Sequence, residues 1–299
     1  MMNTIQYYLG IDGGGTKTEL WLTDADGFLL NSCVLGASNP NDVGIDAACA
    51  LLDDGIAKVT EGYDLATVSV FAGIAGAATG DNAAQLKAHL VSLGFARADA
   101  ASDVRSALAA CLQDEDGIAI IMGTGSVAYA QHGSRLLRAG GYGYLLGDTG
   151  SGFALGQGAI LAALQAEDGS GAPTLLHDLV SAQCGKARVL DALSDFYRWG
   201  KTEIARYAPT VFEAYKQGDS VATEILSRNV DAIADLVRAI GNRMNEHRIR
   251  VVLCGGLTSQ SMHILPLLHD ALADDARTYI ISISKAAPIQ GAIFLASKL

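Results

Sequence analysis

Hydrophobic and polar positions alternate twice along the chain in the same way, each time around a glycine turn. Tyr8 to Ile11 is an apolar run of strand length that ends in a single carboxylate, Asp12. Three glycines (Gly13, Gly14, Gly15) and Thr16-Lys17-Thr18 follow. Beyond them Leu20 and Leu22 alternate with Glu19 and Trp21, the period-two signature of a half-buried strand. A turn at Asp24-Ala25-Asp26-Gly27 leads to a further apolar segment, Phe28 to Leu30. The pattern returns at Ile118 to Gln131, with an apolar strand, the turn Gly123-Thr124-Gly125-Ser126 and an alternating strand, before His132-Gly133 leads to Leu136-Leu137. Two three-stranded meanders that open with glycine hairpins predict a duplicated fold.

Between and after the meanders the period changes to that of helices. Ile45, Ala48, Leu51, Leu52, Ile56 and Val59 fall on one helical face, and a second helix is expected from Asn82 to Leu93. Val68 to Ile74 is a buried strand closed by the small-residue run 72–77. Asp103 precedes a helix through Leu108 and Leu112. The glycine-rich stretch 140–158 contains Tyr142, Tyr144, Leu145, Leu146 and Phe153, so it reads as an ordered loop that closes over something small, with a helix from Ser151 to Gln165. Residues 173–247 are helical in pattern, and Val230, Ile233, Leu236, Val237 and Ile240 define a periodic helix beginning near Asp219. A strand at Ile249–Cys254, a helix through Ile264, Leu267 and Leu268, a strand at Tyr279–Ile283 and a helix through Ile289, Ile293 and Leu295 complete the chain. The expected class is α/β. No low-complexity linker interrupts it, so the boundary is placed at a helix crossing near 103–116. That gives an N-terminal domain over 1–112 and a larger one over 113–286, with the last helix, 287–299, able to pack back on the first.

Glycines let a backbone turn sharply and bring bare N–H groups against an anion. The Gly13–Thr18 turn is therefore of phosphate-binding type, with Asp12 at its mouth. It is not a P-loop, because Thr16 separates Gly15 from Lys17 and a strand follows, and the dinucleotide fingerprint likewise requires a helix after its glycines. A plain hairpin with an incidental Asp is the simpler alternative, and the second copy argues against it. Two such hairpins suit one polyphosphate gripped from both sides. Gly255-Gly256 after a strand and before a helix is a third backbone-rich site that suits the adenosine end of a nucleotide. Asn39, before Pro40, reads first as turn punctuation, although a carboxamide also serves sugar hydroxyls. Asp103 reads first as a helix N-cap, and Asp148 as a cap within the glycine-rich connector.

Composition narrows the class of function. The chain has 299 residues, half of them hydrophobic, with a net charge of −11, enough for two packed domains. No Lys/Arg cluster stands out, which argues against a nucleic-acid surface. The N-terminus lacks a basic, long apolar leader, and no apolar run reaches membrane-span length, so a soluble cytoplasmic protein is expected. The five cysteines are widely spaced without a Cys-x-x-Cys pair, which fits reduced, buried thiols rather than a metal knuckle. No histidine pair has the spacing of a helical metal site, and there is no Gly-x-Ser-x-Gly elbow.

Taken in order, IDGGGTKT at 11–18, ASNP at 37–40, AGIAGA at 72–77, Asp103, MGTGS at 122–126, GGYGYLLGDTGSG at 140–152 and LCGGL at 253–257 resemble one family over nearly the whole length. It is the N-acetylglucosamine kinase and bacterial glucosamine kinase branch of the BadF/BadG/BcrA/BcrD ATPases, within the actin-like superfamily. The resemblance implies two actin-like (ribonuclease H-like) domains with a nucleotide and sugar cleft between them. It also implies ATP and Mg²⁺ as cofactors and transfer of phosphate to the 6-hydroxyl of an amino sugar. N-acetyl-D-glucosamine is the first choice of acceptor and D-glucosamine the second.

By the same resemblance Gly13, Gly14, Gly15, Thr16, Lys17 and Thr18, with Gly123, Thr124, Gly125 and Ser126, hold the phosphates. Asp12 positions Mg²⁺ through water, and Gly255 and Gly256 flank the adenosine. Asn39, Gly76, Asp103, Gly141, Asp148 and Gly152 match sugar-contacting positions, with Asp103 the catalytic base. Val104-Arg105 after Asp103 departs from the family's usual small residues. The zinc-binding cysteine cluster of the related glucokinases is absent. The alternative is a BadF-type ATPase that drives a partner enzyme, with Cys111 as the nearest cysteine to the expected domain crossing. A non-enzymatic sugar-responsive binder is disfavoured by the intact aspartates and hairpins. A homodimer is the default assembly.

Overall fold

The computed structural model describes residues 4–299. The chain divides into two compact units, one formed by the residues up to Glu115 with Ala286–Leu299, the other by Asp116–Lys285.

In the first unit β1 (Tyr7–Gly13), β2 (Thr18–Asp24) and β3 (Leu29–Leu35) form the antiparallel meander. Two short crossings follow. The first, with α1 (Pro40–Val43) and α2 (Ile45–Val59), leads to β4 (Val68–Ile74); the second, with α3 (Asn82–Ser92), leads to β5 (Arg97–Ala101). Both new strands run parallel to β1, giving the order β3-β2-β1-β4-β5, and α4 (Asp103–Leu112) follows β5. β4 is buried at every position, as expected of a parallel strand covered on both faces. On one side Leu9, Ile11, Leu20 and Leu22 pack with Leu52, Ile56 and Val59 of α2.

The second unit repeats this topology. β6 (Gly117–Met122), β7 (Ser126–His132) and β8 (Arg135–Gly140) form the meander. Between β8 and the next strand the chain inserts α5 (Gly152–Asp168), α6 (Leu176–Cys184), α7 (Leu193–Arg198), α8 (Lys201–Ala205), α9 (Ala208–Lys216) and α10 (Ser220–Met244). β9 (Arg248–Cys254), α11 (Ser261–Leu272) and β10 (Thr278–Ile283) then complete the order β10-β9-β6-β7-β8. Read from β8, this is the arrangement of the first sheet, with β9 and β10 as the parallel pair. Asp219 caps α10, accepting from Ala222 N at 2.8 Å, and Leu226, Val230, Ile233, Val237 and Ile240 form its buried ridge.

The last helix, α12 (Pro288–Lys298), returns to the first unit. It lies directly on β1, where a Cβ on Gly10 would stand 2.9 Å from Ile293 N and 3.0 Å from Ile289 O. Gly291 meets the α4 backbone at Ser106 and Ala110. The Ser69 hydroxyl of β4 donates to Ala296 O at 2.6 Å. Among the described residues no helix is long and apolar enough to cross a membrane.

Candidate active site

In the first unit the turn between β1 and β2 is a tight hairpin. Gly13 pairs with Thr18, and Gly14 N donates to Lys17 O at 2.9 Å, leaving Gly15 and Thr16 at the exposed tip. Gly13 has no room for a side chain, because a Cβ would overlap the buried Ser38 hydroxyl. Ala75 N binds Gly13 O at 2.8 Å and Ser38 N binds Gly14 O at 3.0 Å, so the hairpin base is stitched to both following segments. Lys17 turns back to Glu19 at 3.1 Å.

Asp12 sits at the end of β1, and among the described residues its carboxylate has no hydrogen-bond or ion-pair partner. Burial, then the neighbouring Asp103 and Glu19 carboxylates, push it up to about 6 against the pull of Lys17. A partly buried carboxylate with two acidic neighbours beside a turn of free N–H groups fits a hydrated divalent cation. Asp103 is the first residue of α4, and its Oδ1 accepts from Ser102 Oγ at 2.8 Å and Val104 N at 3.0 Å.

Asn39 and Gly76 meet in the same unit. Gly76 has φ +80, and a Cβ there would overlap the Asn39 carboxamide oxygen. Asn39 Oδ1 accepts from Asn41 N at 3.0 Å, and its Nδ2 donates to Asp42 Oδ2 at 2.7 Å. Asp42 in turn lies beside Gly15 of the hairpin.

In the second unit Gly123 N donates to Gly125 O at 2.9 Å, closing a three-residue turn between Met122 and Ser126. The glycine-rich loop is bound to this turn. Gly152 N and Phe153 N donate to Gly123 O and Thr124 O at 2.8 and 3.1 Å, and Ser126 Oγ donates to Thr149 O at 2.6 Å. Asp148, only 5 % exposed and at φ +57, presses its carboxylate on Gly125 and accepts from Ser126 N at 3.4 Å. A cavity of about 370 Å³ is lined by Ser126, Gly141, Tyr142 and Asp148. A second, of about 220 Å³, brings Gly123, Thr124 and Gly152 together with Gly256 and Leu257.

The family model described as the BadF/BadG/BcrA/BcrD ATPase family matches residues 9–296. The chain belongs to this family. Within the BadF/BadG/BcrA/BcrD ATPases it is 31% identical over 258 residues to the N-acetylmuramic acid/N-acetylglucosamine kinase of Clostridium acetobutylicum, covering 83% of this chain and 84% of that one. It is 26% identical over 305 residues to glucosamine kinase GspK of Vibrio cholerae, covering 98% and 97%. Among solved structures, an N-acetylglucosamine kinase candidate from Chromobacterium violaceum superposes with TM-score 0.68 at 27% identity, covering 98% of this chain and 99% of that one. The fold of this family member is thus the actin-like pair of α/β domains.

Three expectations are corrected by this family member's structure. The N-cap of α4 is Ser102 and not Asp103, and Ser151 rather than Asp148 caps α5, accepting from Ala154 N at 3.2 Å. Gly255 and Gly256 lead into a single 3-10 turn, Gly256–Gln260, and α11 begins only at Ser261. Backbone proximity, not a helix end, is what that glycine pair offers. The singled-out residues of 12–18, 39, 76 and 103 lie in the first unit, those of 123–126, 141, 148, 152, 255 and 256 in the second. Sequence reasoning missed Asp42, Lys201 (3.9 Å from Asp148) and the buried hydroxyls Ser38 and Ser106. None stands in a glycine motif, and the contacts Asp42–Gly15, Ser38–Gly13, Ser106–Gly73 and Lys201–Asp148 join residues remote in sequence.

Proposed function

We propose that this chain is an ATP-dependent kinase of amino sugars that phosphorylates the 6-hydroxyl, with N-acetyl-D-glucosamine the first acceptor and D-glucosamine the second. The observation that carries the reading is the placement of Asp103, at the start of α4, over Gly73, the register partner of Asp12 at the mouth of the β1–β2 hairpin: the Asp103 Cα lies 3.5 Å from where a Cβ on Gly73 would stand. One carboxylate beside an anion-binding turn and a second held by Ser102 and Val104 supply the two tasks of phosphoryl transfer to an alcohol. Relatives named as kinases of N-acetylglucosamine and glucosamine support the acceptor class.

The N–H groups of Gly13–Thr18 and of Gly123–Ser126 bind phosphate oxygens. Gly256 and Leu257, which share a cavity with Gly123 and Thr124, receive the adenosine end. Asp12 would hold Mg²⁺ through water, and that ion when bound neutralises phosphate charge. Asn39, braced by Gly76 and Asp42, orients the sugar through its hydroxyls, as do Gly141, Asp148 and Gly152. Asp103 accepts the proton of the attacking hydroxyl. Cys111, 6 % exposed in α4, is poorly presented for a cluster shared with a partner, which disfavours the ATPase-activator alternative.

The test is ADP release with Mg·ATP against N-acetylglucosamine, glucosamine, N-acetylmannosamine, glucose and no sugar. Turnover that depends on one hexosamine is expected. Equal release with and without every sugar overturns the kinase reading in favour of an ATPase.

A further inference from the structure

On the face of the first sheet that α4 and α12 cover, a buried donor has no acceptor, and a carboxylate no donor, among the described residues. Ser106 is fully buried, and among the described residues its hydroxyl has no hydrogen-bond partner. A serine inside a helix ordinarily bonds a carbonyl of the preceding turn, and this one does not. Its Oγ instead stands over Gly73, filling the place a side chain there would take, and Gly291 of α12 packs on its carbonyl oxygen. Two glycines hold it where it is.

The register places Asp12 beside it. Asp12 of β1 pairs with Gly73 of β4, which pairs with Ala101 of β5. Paired residues on parallel strands face the same side, with neighbouring strands about 4.8 Å apart. Asp12 therefore leaves the sheet on the side where Ser106 Oγ covers Gly73. Gly10, two residues before Asp12, meets α12 on that same side, as the period of two requires. Asp103 and Ser106, three apart on α4, lie one above the other on one helix face, and the Asp103 Cα is 3.5 Å from the Gly73 Cβ position.

We propose that Ser106 is a positioning residue whose hydroxyl is the internal hydrogen-bond donor for the Asp12 carboxylate, fixing it between the phosphate hairpin and Asp103. The pair closes by side-chain rotation, directly or through one water. Gly73 makes the approach possible, and the orphan hydroxyl is kept at a cost in stability because the loaded site uses it. The inference rests on the kinase reading for its purpose and on the register for its geometry.

The experiment compares full-length wild type, Ser106→Ala, Ser106→Cys, Asp12→Asn and the Ser106→Ala/Asp12→Asn double variant. Measured quantities are urea midpoints, sugar and ATP kinetics, and the thermal shift given by Mg·ADP. Ser106→Ala should unfold at the same or higher urea, since it removes an unsatisfied group. Its kcat should nevertheless fall about tenfold with both KM values held within about twofold. The Mg·ADP shift should shrink, Ser106→Cys should recover part of both losses, and the double variant should be no worse than Asp12→Asn alone. Wild-type kcat and Mg·ADP shift in Ser106→Ala, or losses that add in the double variant, overturn the proposal. If wild type releases no ADP with any sugar, the kinase reading fails by itself, and the Mg·ADP shifts still decide the role of Ser106. A wild-type chain that Mg·ADP does not stabilise overturns both.

Discussion

Gly255 lies so close to Met122 that a Cβ on it would stand 2.5 Å from the Met122 carbonyl oxygen and 3.1 Å from its nitrogen. Gly255 has φ +97, in the region L side chains avoid. The contact joins the end of β9 to the last residue of β6, immediately before the Gly123–Ser126 turn. Gly255→Ala should therefore lose more than about 2 kcal/mol of stability through combined strain and overlap. In the folded fraction KM for ATP should rise more than KM for sugar. Urea unfolding and initial-rate kinetics check this.

Asp12 gives a pH dependence with a definite sign. Its carboxyl is raised from 3.8 to about 6, burial first and Asp103 next, so the fold prefers the protonated form. The stability that preference contributes is complete below 3.8 and is lost as pH rises through about 6. Asp12→Asn should accordingly be more stable than wild type at about pH 8, with the difference closing at about pH 4. Urea midpoints across that range give the comparison, and a gap that widens towards acid contradicts the assignment.

Asp103→Asn should fold normally and keep its sugar KM, because Asn at the first turn of α4 still accepts from Ser102 and Val104. Loss of the proton acceptor should lower kcat by about 10²–10⁴-fold. Turnover within a few-fold of wild type would remove Asp103 from the chemistry.

Asp219, in the second unit and outside the candidate site residues, supplies a control. Burial alone would raise its carboxyl. The N–H groups of Ala222 and Leu175 and the Thr174 hydroxyl instead bring it below the usual range. Asp219→Ala should cost about 1–2 kcal/mol as a lost cap and leave kcat and KM unchanged. The contribution of Asp219 is present above the ordinary carboxylate value and lost as pH falls through the lowered one. The wild-type advantage should therefore fade in acid.

The strands and the fold class were legible because their signals are local. Leu20 and Leu22 alternating with Glu19 and Trp21 gave β2, and the return of the motif at Ile118–Gln131 gave the second sheet. The juxtapositions were not. That Gly76 abuts Asn39, that Gly73 admits Ser106 beside Asp12, and that Asp148 lies under Gly125 depend on sheet register and on crossings tens of residues long. Side-chain type carries no record of those. Asp103 and Asp148 read as caps because Asp is a good cap, yet Ser102 and Ser151 hold those places, and both carboxylates are left for other partners.

The glycine contacts of α12 bear on how the protein is made. Gly10 and Ser69 are synthesised early, but the helix that covers them comes only after every strand and helix of the second unit. While the second unit is being translated, that face of the first sheet has α4 but not α12 to cover it, and a chaperone has time to act there. Emergence of α12 closes that face. A chain stopped before Pro288 should therefore emerge prone to aggregation, even though every residue of the first sheet is present.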